Sequence, residues 1–357
     1  MASPVSDSYG CPSGGVIVAG RHRLPVWARG AALNTWTEIP NTAYGNGAMD
    51  SWGGLALKKS NSELIIVAPG GHYDSSYNGA DSLVLSADTP AWTHRRNSSP
   101  ATANVLYYAD GTPTSRHLYH YIHYIESIDA VLLSGCRFGY GGGTPTGPGM
   151  DLFDLATNAY MPRYTYPDIP DTSFGVVQDG QGRIWTTSGK RFDPSTGSWT
   201  ATTGWFHRFP VVYDSLRDTL FSIQYGDGQG FDSGLNSVKV DAATGTASVI
   251  TINASAAYTD WLAAAPSYAT LDYDPDNDRF LFYHGGETGK VYVITPNSGT
   301  AWDMSVLATT GTPSATPASG AGINKRFLYV PKLKGFVMVP KASSNIWPTL
   351  VLTLSWI

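Results

Sequence analysis

One short unit recurs along this chain: a strand, a tight Asx/Gly turn, then an apolar strand ending near glycine. It is plainest in VVYDSLRDTLFSIQYG (211–226) and LDYDPDNDRFLFYHGG (271–286). It returns in YIHYIESIDAVLLSG (121–135) and FGVVQDGQGRIWTTSG (174–189), and more loosely in LALKKSNSELIIVAPGG (55–71) and FLYVPKLKGFVMVPK (327–341). Alternating apolar residues around a polar turn mark β-hairpins. A unit repeated at this period cannot bury its face alone and has to stack on its neighbours.

A second hairpin follows most of the first. Its copies are LVLSADTPAWTHR (83–95), DLFDLATNAYMPR (151–163) and KRFDPSTGSWTAT (190–202), with fainter ones at 238–250 and 291–305. Asp88, Asp154, Asp193 and Asp241 precede its turn, and Thr89, Thr157, Thr196, Thr244 and Ser298 share one aligned place. Such residues cap turn backbone donors. Trp92, Tyr160, Trp199 and Trp302 open or nearly open the next strand, where an aromatic can pack between sheets. The composition agrees: 39 Gly, 23 Pro, 21 Tyr and 11 Trp, with 14% charged residues, favour turns and pleated surfaces over helices.

Two hairpins make a four-stranded blade. The positions Trp36, Trp92, Tyr160 and Trp199 recur at an average near the ~50 residues of kelch repeats. With the glycine-terminated second strands, full as Gly70-Gly71 and Gly285-Gly286, this pattern resembles the kelch-like propeller of galactose oxidase-type proteins over residues 33–357. The resemblance implies an all-β fold: a single closed β-propeller of four-stranded kelch-like blades. There are six inner hairpins, and seven blades only if the N-terminal arm builds one of its own. The last hairpin is followed by IWPTLVLTLSWI, which supplies a third strand but no fourth. ALNTWTEIP (32–40) matches the missing strand, so an N-terminal strand is expected to pair in the C-terminal blade and close the ring. The domains are then an arm, 1–31, and a propeller, 32–357.

Turns within hairpins are short, whereas the connections 72–81, 96–117, 137–149, 226–236 and 253–268 are long. In a four-stranded blade the long classes emerge on one face, and binding concentrates on long loops over rigid scaffolds. That face carries His72, Tyr73, Arg137, Tyr140, Trp205, Trp261 and His284, the expected ligand-binding set. Aromatic faces and planar donors suit a glycan or cell-surface polysaccharide.

Several chemistries lack their residues. No HExxH, CxxC or phosphate-cradling loop is present, and no metal or cofactor is expected. The copper radical chemistry of galactose oxidase needs ligand motifs that do not match residue by residue. Loop acids such as Asp227, Asp232 and Glu287 do not establish a paired-carboxylate site. β-Elimination has better candidates: His117 or His207 with Tyr225 and Arg116 or Arg208 as acid–base and carboxylate-neutralising groups. A net charge of −5 with no long Lys/Arg run argues against nucleic acid. The N-terminus lacks a signal peptide's basic start and apolar core, and no stretch nears the ~20 apolar residues of a membrane helix. Two cysteines make no disulfide framework. The function expected is a soluble, non-enzymatic recognition or assembly propeller, of the kind that serves as a phage virion accessory or receptor-facing, glycan-binding protein. Residues 1–31 would contact other virion proteins. The alternative is a carbohydrate-active enzyme, a polysaccharide lyase ahead of an oxidase.

Overall fold

The first described strand, β1 (Trp36–Glu38), pairs with the last, β24 (Leu350–Thr353), and the strands between them pair within four-stranded antiparallel blades. The computed structural model describes residues 24–44, 53–69, 75–134, 140–141, 149–169, 175–202, 210–223, 237–264, 269–283, 290–311, 323–340 and 350–353. Blade one is β2 (Ala56–Lys58), β3 (Glu63–Val67), β4 (Ala80–Val84) and β5 (Trp92–Arg96). Blade two is β6 (Ile122–Ile125), β7 (Ala130–Ser134), β8 (Met150–Asp154) and β9 (Ala159–Tyr160). Blade three is β10 (Val176–Gln178), β11 (Ile184–Thr186), β12 (Lys190–Asp193) and β13 (Ser198–Ala201). Blade four is β14 (Val211–Asp214), β15 (Thr219–Ser222), β16 (Ser237–Asp241) and β17 (Ala247–Ile252). Blade five is β18 (Thr270–Asp274), β19 (Arg279–Tyr283), β20 (Val291–Thr295) and β21 (Ala301–Leu307). Blade six is β22 (Phe327–Val330), β23 (Gly335–Met338), β24 and β1. The outer strands β17 and β21 also pair in parallel, Thr251 with Ala301 and Ile252 with Trp302, joining blades four and five.

The first turn of every blade is built alike. A residue in the left-handed region closes it: Ser62, Asp129, Gly182, Asp218, Asp278 and Lys334. Asp and Gly tolerate that backbone best, which is why the turn reads so clearly in sequence. In three blades an inner-strand tyrosine then staples the turn: Tyr124 donates to Asp129 at 2.8 Å, Tyr213 to Asp218 at 2.8 Å and Tyr273 to Asp278 at 2.7 Å. The expected aspartates cap the second turns, Asp154 accepting from Ala156 N, Asp193 from Ser195 N and Asp241 from Thr244 N. Asp88 instead accepts from Val26 N at 2.7 Å.

Among the described residues the core falls into six clusters, one for each joint between successive blades. The aromatics that open the outer strands fill several of these joints. Trp302 lies between Phe221 of blade four and Phe280 of blade five, and Trp199 packs on Phe192. One cluster unites Leu55, Leu64 and Leu83 of blade one with Leu328, Val330 and Val337 of blade six, so the ring is closed and the described strands make six blades. Trp36, 6% exposed, reaches across the preceding joint to Tyr283 and Phe327.

Two segments depart from simple meander. Residues 24–31 lie along the outer part of blade one, where Trp27 Nε1 donates to the carbonyls of Leu85 and Ala87. The connection after β17, expected as a loop, contains a helix, α1 (Ala256–Ala264). Ser255 Oγ accepts from Tyr258 N at 3.0 Å, the usual service of a serine at a helix start, and the alanine-rich segment behind it has high helix propensity.

Because Trp36 anchors the closing strand in a full joint, Trp36→Ala should lower unfolding free energy by about 3–5 kcal/mol, read by chemical denaturation. A loss within the ~0.5 kcal/mol of an ordinary surface change would show that closure does not support the ring.

Candidate functional site

The six inner strands stand around the propeller axis and leave a cavity of about 330 Å³ between them. Every blade contributes to its wall: Leu57 and Lys59, then His120, His123 and Glu126, then Val177 and Gly180, then Val212 and Ser215, then Leu271 and Asp272, then Lys325 and Leu328. The volume falls at the lower end of the ~300–1,000 Å³ of small-molecule sites, and the wall combines aliphatic surface with a few converging polar groups.

At the end where the inner strands begin, two side chains span the axis. His120 Nε2, from the segment leading into β6, lies 3.2 Å from the carbonyl of Ala269, just before β18 in blade five. Lys325 Nζ, leading into β22, donates to the carbonyls of Ile122 at 2.7 Å and Val176 at 3.4 Å and lies 2.9 Å from His123 Nδ1. One ammonium thus ties blade six to blades two and three. At the other end the wall is Lys59, Glu126, Gly180 and Ser215, all exposed and all in the turns that follow inner strands. The pocket therefore opens on the short-turn face and has a polar floor.

Enclosure sets the charge of that floor. Burial pulls the Lys325 ammonium down to about 7, with Asp272 opposing and Lys59 reinforcing the shift. Burial and then the Lys325 charge lower His120 to about 3, and the same causes with Lys59 hold His123 well below its ordinary range. Burial raises the Asp272 carboxyl, although its oxygens accept from Tyr273 N at 2.9 Å and Tyr329 N at 2.8 Å. At neutral pH the floor presents two neutral imidazoles and a partly discharged amine beside the buried Asp272 carboxyl. It offers hydrogen-bond donors and acceptors at low net charge. Shifted groups gathered in a cleft mark functional sites, though structural networks produce them as well. Among the described residues no group of three or more His, Cys, Asp or Glu could hold a metal ion.

The residues singled out from sequence are distributed differently. Arg116 is buried, with Nη2 2.6 Å from Asp151 Oδ2. His117 is buried with Nδ1 2.9 Å from the Tyr119 hydroxyl. Both sit beneath the long-loop face and away from the axial pocket. Tyr140 is half-buried, its backbone joined to Asn104 and Ser115. Trp261, expected on a loop, is fully buried on α1, stacked on Tyr258 and edge-on to Phe282, because the helix turns its indole into the joint between blades four and five. His72, Tyr73, Arg137, Trp205, His207, Arg208, Tyr225 and His284 lie outside the described residues.

The pocket residues His120, His123, Asp272 and Lys325 were not anticipated. A signal for two of them exists. In IHYI, VVYD, LDYD and FLYV, four inner strands aligned on their turns, the second residue faces the axis. It is apolar in Val212 and Leu328, but His123 and Asp272 place polar groups there.

No protein-family model matches the sequence, and no curated protein matches it. Solved structures do. The structure of YjhT is 12% identical, covers 89% of this chain and 97% of its own, and superposes with a TM-score of 0.54. An auxiliary nutrient binding protein from Bacteroides thetaiotaomicron is 12% identical over 88% of this chain and 75% of its own, with a TM-score of 0.49. U3-55K is 8% identical over 90% and 98%, also at 0.49. The likeness to YjhT shows the fold: this chain is a β-propeller.

The axial floor couples stability to pH. Lys325 takes its proton less readily when folded than unfolded, so its contribution is full above about 10.5 and falls as pH drops toward about 7. His120 acts in the same direction lower down, from about 6.5 toward about 3. The stability of wild type minus that of Lys325→Met, measured by denaturant titration, should therefore rise between pH 7 and 10. A flat difference would place the Lys325 amine in water.

Proposed function

We propose that this chain is a non-catalytic recognition propeller of the kelch type, which seats a sugar-sized polar ligand in its axial pocket. The blind pocket carries the proposal. Its floor of His120, His123, Asp272 and Lys325 supplies both donors and acceptors, as hydroxyl groups require. Its aliphatic wall, with Leu57, Val212, Leu271 and Leu328, suits the C–H surface of a pyranose. The low net charge of the floor favours a neutral, multiply hydroxylated ligand over a bare ion.

The ligand we infer is the end of a cell-surface glycan, bound by a receptor-facing or accessory protein of a virion, with residues 1–31 making contacts to neighbouring proteins. β-Elimination has less support. Arg116 and His117 are taken up by Asp151 and Tyr119 and lie apart from the pocket, whereas a general acid–base has to reach its substrate within hydrogen-bond distance.

Ser215 is exposed at the pocket rim, in the turn after β14. Binding to an array of bacterial surface glycans should be detected for wild type and should weaken at least about tenfold in Ser215→Trp, which fills the opening, with the melting temperature unchanged. Equal binding by both proteins would move the site away from the axis, and no binding to any glycan would refute the proposal.

A further inference from the structure

The long-loop face above blade two holds an arrangement that the axial pocket does not use. Most described arginines answer a carboxylate, as Arg116 does on Asp151 and Arg217 on Asp278. Arg163 answers two rings. Its guanidinium carbon is 4.2 Å from the centroid of Tyr107 and 4.4 Å from that of Tyr164. It is exposed, and among the described residues no carboxylate pairs with it. Stacking on rings leaves the in-plane N–H edge of a guanidinium available, and that edge matches a carboxylate in a two-pronged fork.

The two rings are held in contrasting ways. Tyr107 is fixed from below: its hydroxyl lies 3.1 Å from Asp151 Oδ1, the carboxylate that also receives the buried Arg116. Burial and the Asp151 charge raise its hydroxyl pKa, so the phenol stays protonated. Gly149 adjoins it so closely that an added Cβ would stand 3.3 Å from its hydroxyl oxygen. Tyr164 occupies a turn closed by Thr165 N donating to the Pro162 carbonyl at 3.1 Å. Its φ is +64°, a backbone state that suits glycine, and the residue is 60% exposed. A large aromatic at a strained and exposed place adds little to the fold, and strain of this kind gathers at ligand sites.

We propose that Arg163, Tyr107 and Tyr164 form a second ligand site on the long-loop face, which takes an acidic sugar of the uronate class. The carboxylate meets the Arg163 edge and the C–H face of the pyranose lies against Tyr164. This site is independent of the axial pocket, which opens on the opposite face.

Calorimetric titration with trigalacturonate tests it, with neutral galactose trimer as control. With the axial pocket filled in Ser215→Trp, the protein binds the uronate and not the neutral trimer. Arg163→Gln weakens binding at least about tenfold, and Arg163→Lys, which keeps the charge without the planar fork, falls between. Tyr164→Gly also weakens binding while the melting temperature stays the same or rises, because glycine relieves the left-handed backbone. A tyrosine with a purely structural role would give the reverse, a lower melting temperature with binding intact. Ser215→Trp leaves uronate binding unchanged. Overturning results are no uronate binding, equal binding of the neutral trimer by Ser215→Trp, indifference to Arg163→Gln, or loss of uronate binding in Ser215→Trp. The last would place the acidic sugar in the axial pocket instead.

Discussion

The pairing of β1 with β24 is the constraint on which the rest depends. It sets Trp36 beside Leu352, bringing together residues from near both ends of the described chain. Each of the six hydrophobic clusters lies between two blades, so no blade owns a complete core. Leaving one joint open strips two blades of one face. The axial pocket exists only because all six joints are made at once, since its wall takes residues from every inner strand. Closure also requires contacts across the longest sequence separations, which loop-closure entropy makes late and slow to form.

Much of this architecture was legible in the sequence, and turn chemistry explains why. A tight turn needs a left-handed residue and a capping carboxylate, so Asp129, Asp218 and Asp278 announce their hairpins without reference to the rest of the fold. The closing strand could be found because Trp36 repeats the place of Trp92 and Trp199. The site was much harder to read. Which side of an inner strand faces the axis is fixed by ring closure, a property of the whole molecule, so His123 and Asp272 look locally like any interrupted strand. The described pocket lies on the short-turn face, away from the long connections. Loop length shows where chain is spare, whereas a cavity forms where side chains fail to meet, here on the short-turn side. Trp261 illustrates the same limit: an aromatic in a long connection resembles a loop residue until Ser255 starts a helix and carries the indole inward.

The polar floor shows how such a scaffold can hold ionisable groups at low electrostatic cost. Lys325 is fixed by two carbonyls and an imidazole nitrogen, so its donors are engaged whether or not the amine is fully charged. The flanking histidines remain neutral. The floor is thus already ordered and only weakly charged on its basic side, and a ligand entering from the short-turn face would meet groups that need little rearrangement, which is the main saving a rigid scaffold offers to binding.

The parallel pairing of β17 with β21 divides the ring into unequal parts. At the joint between blades four and five, main-chain hydrogen bonds reinforce side-chain packing, so these blades form one continuous eight-stranded sheet. Parting these two blades therefore costs main-chain hydrogen bonds along their outer edge as well as apolar contact in the joint.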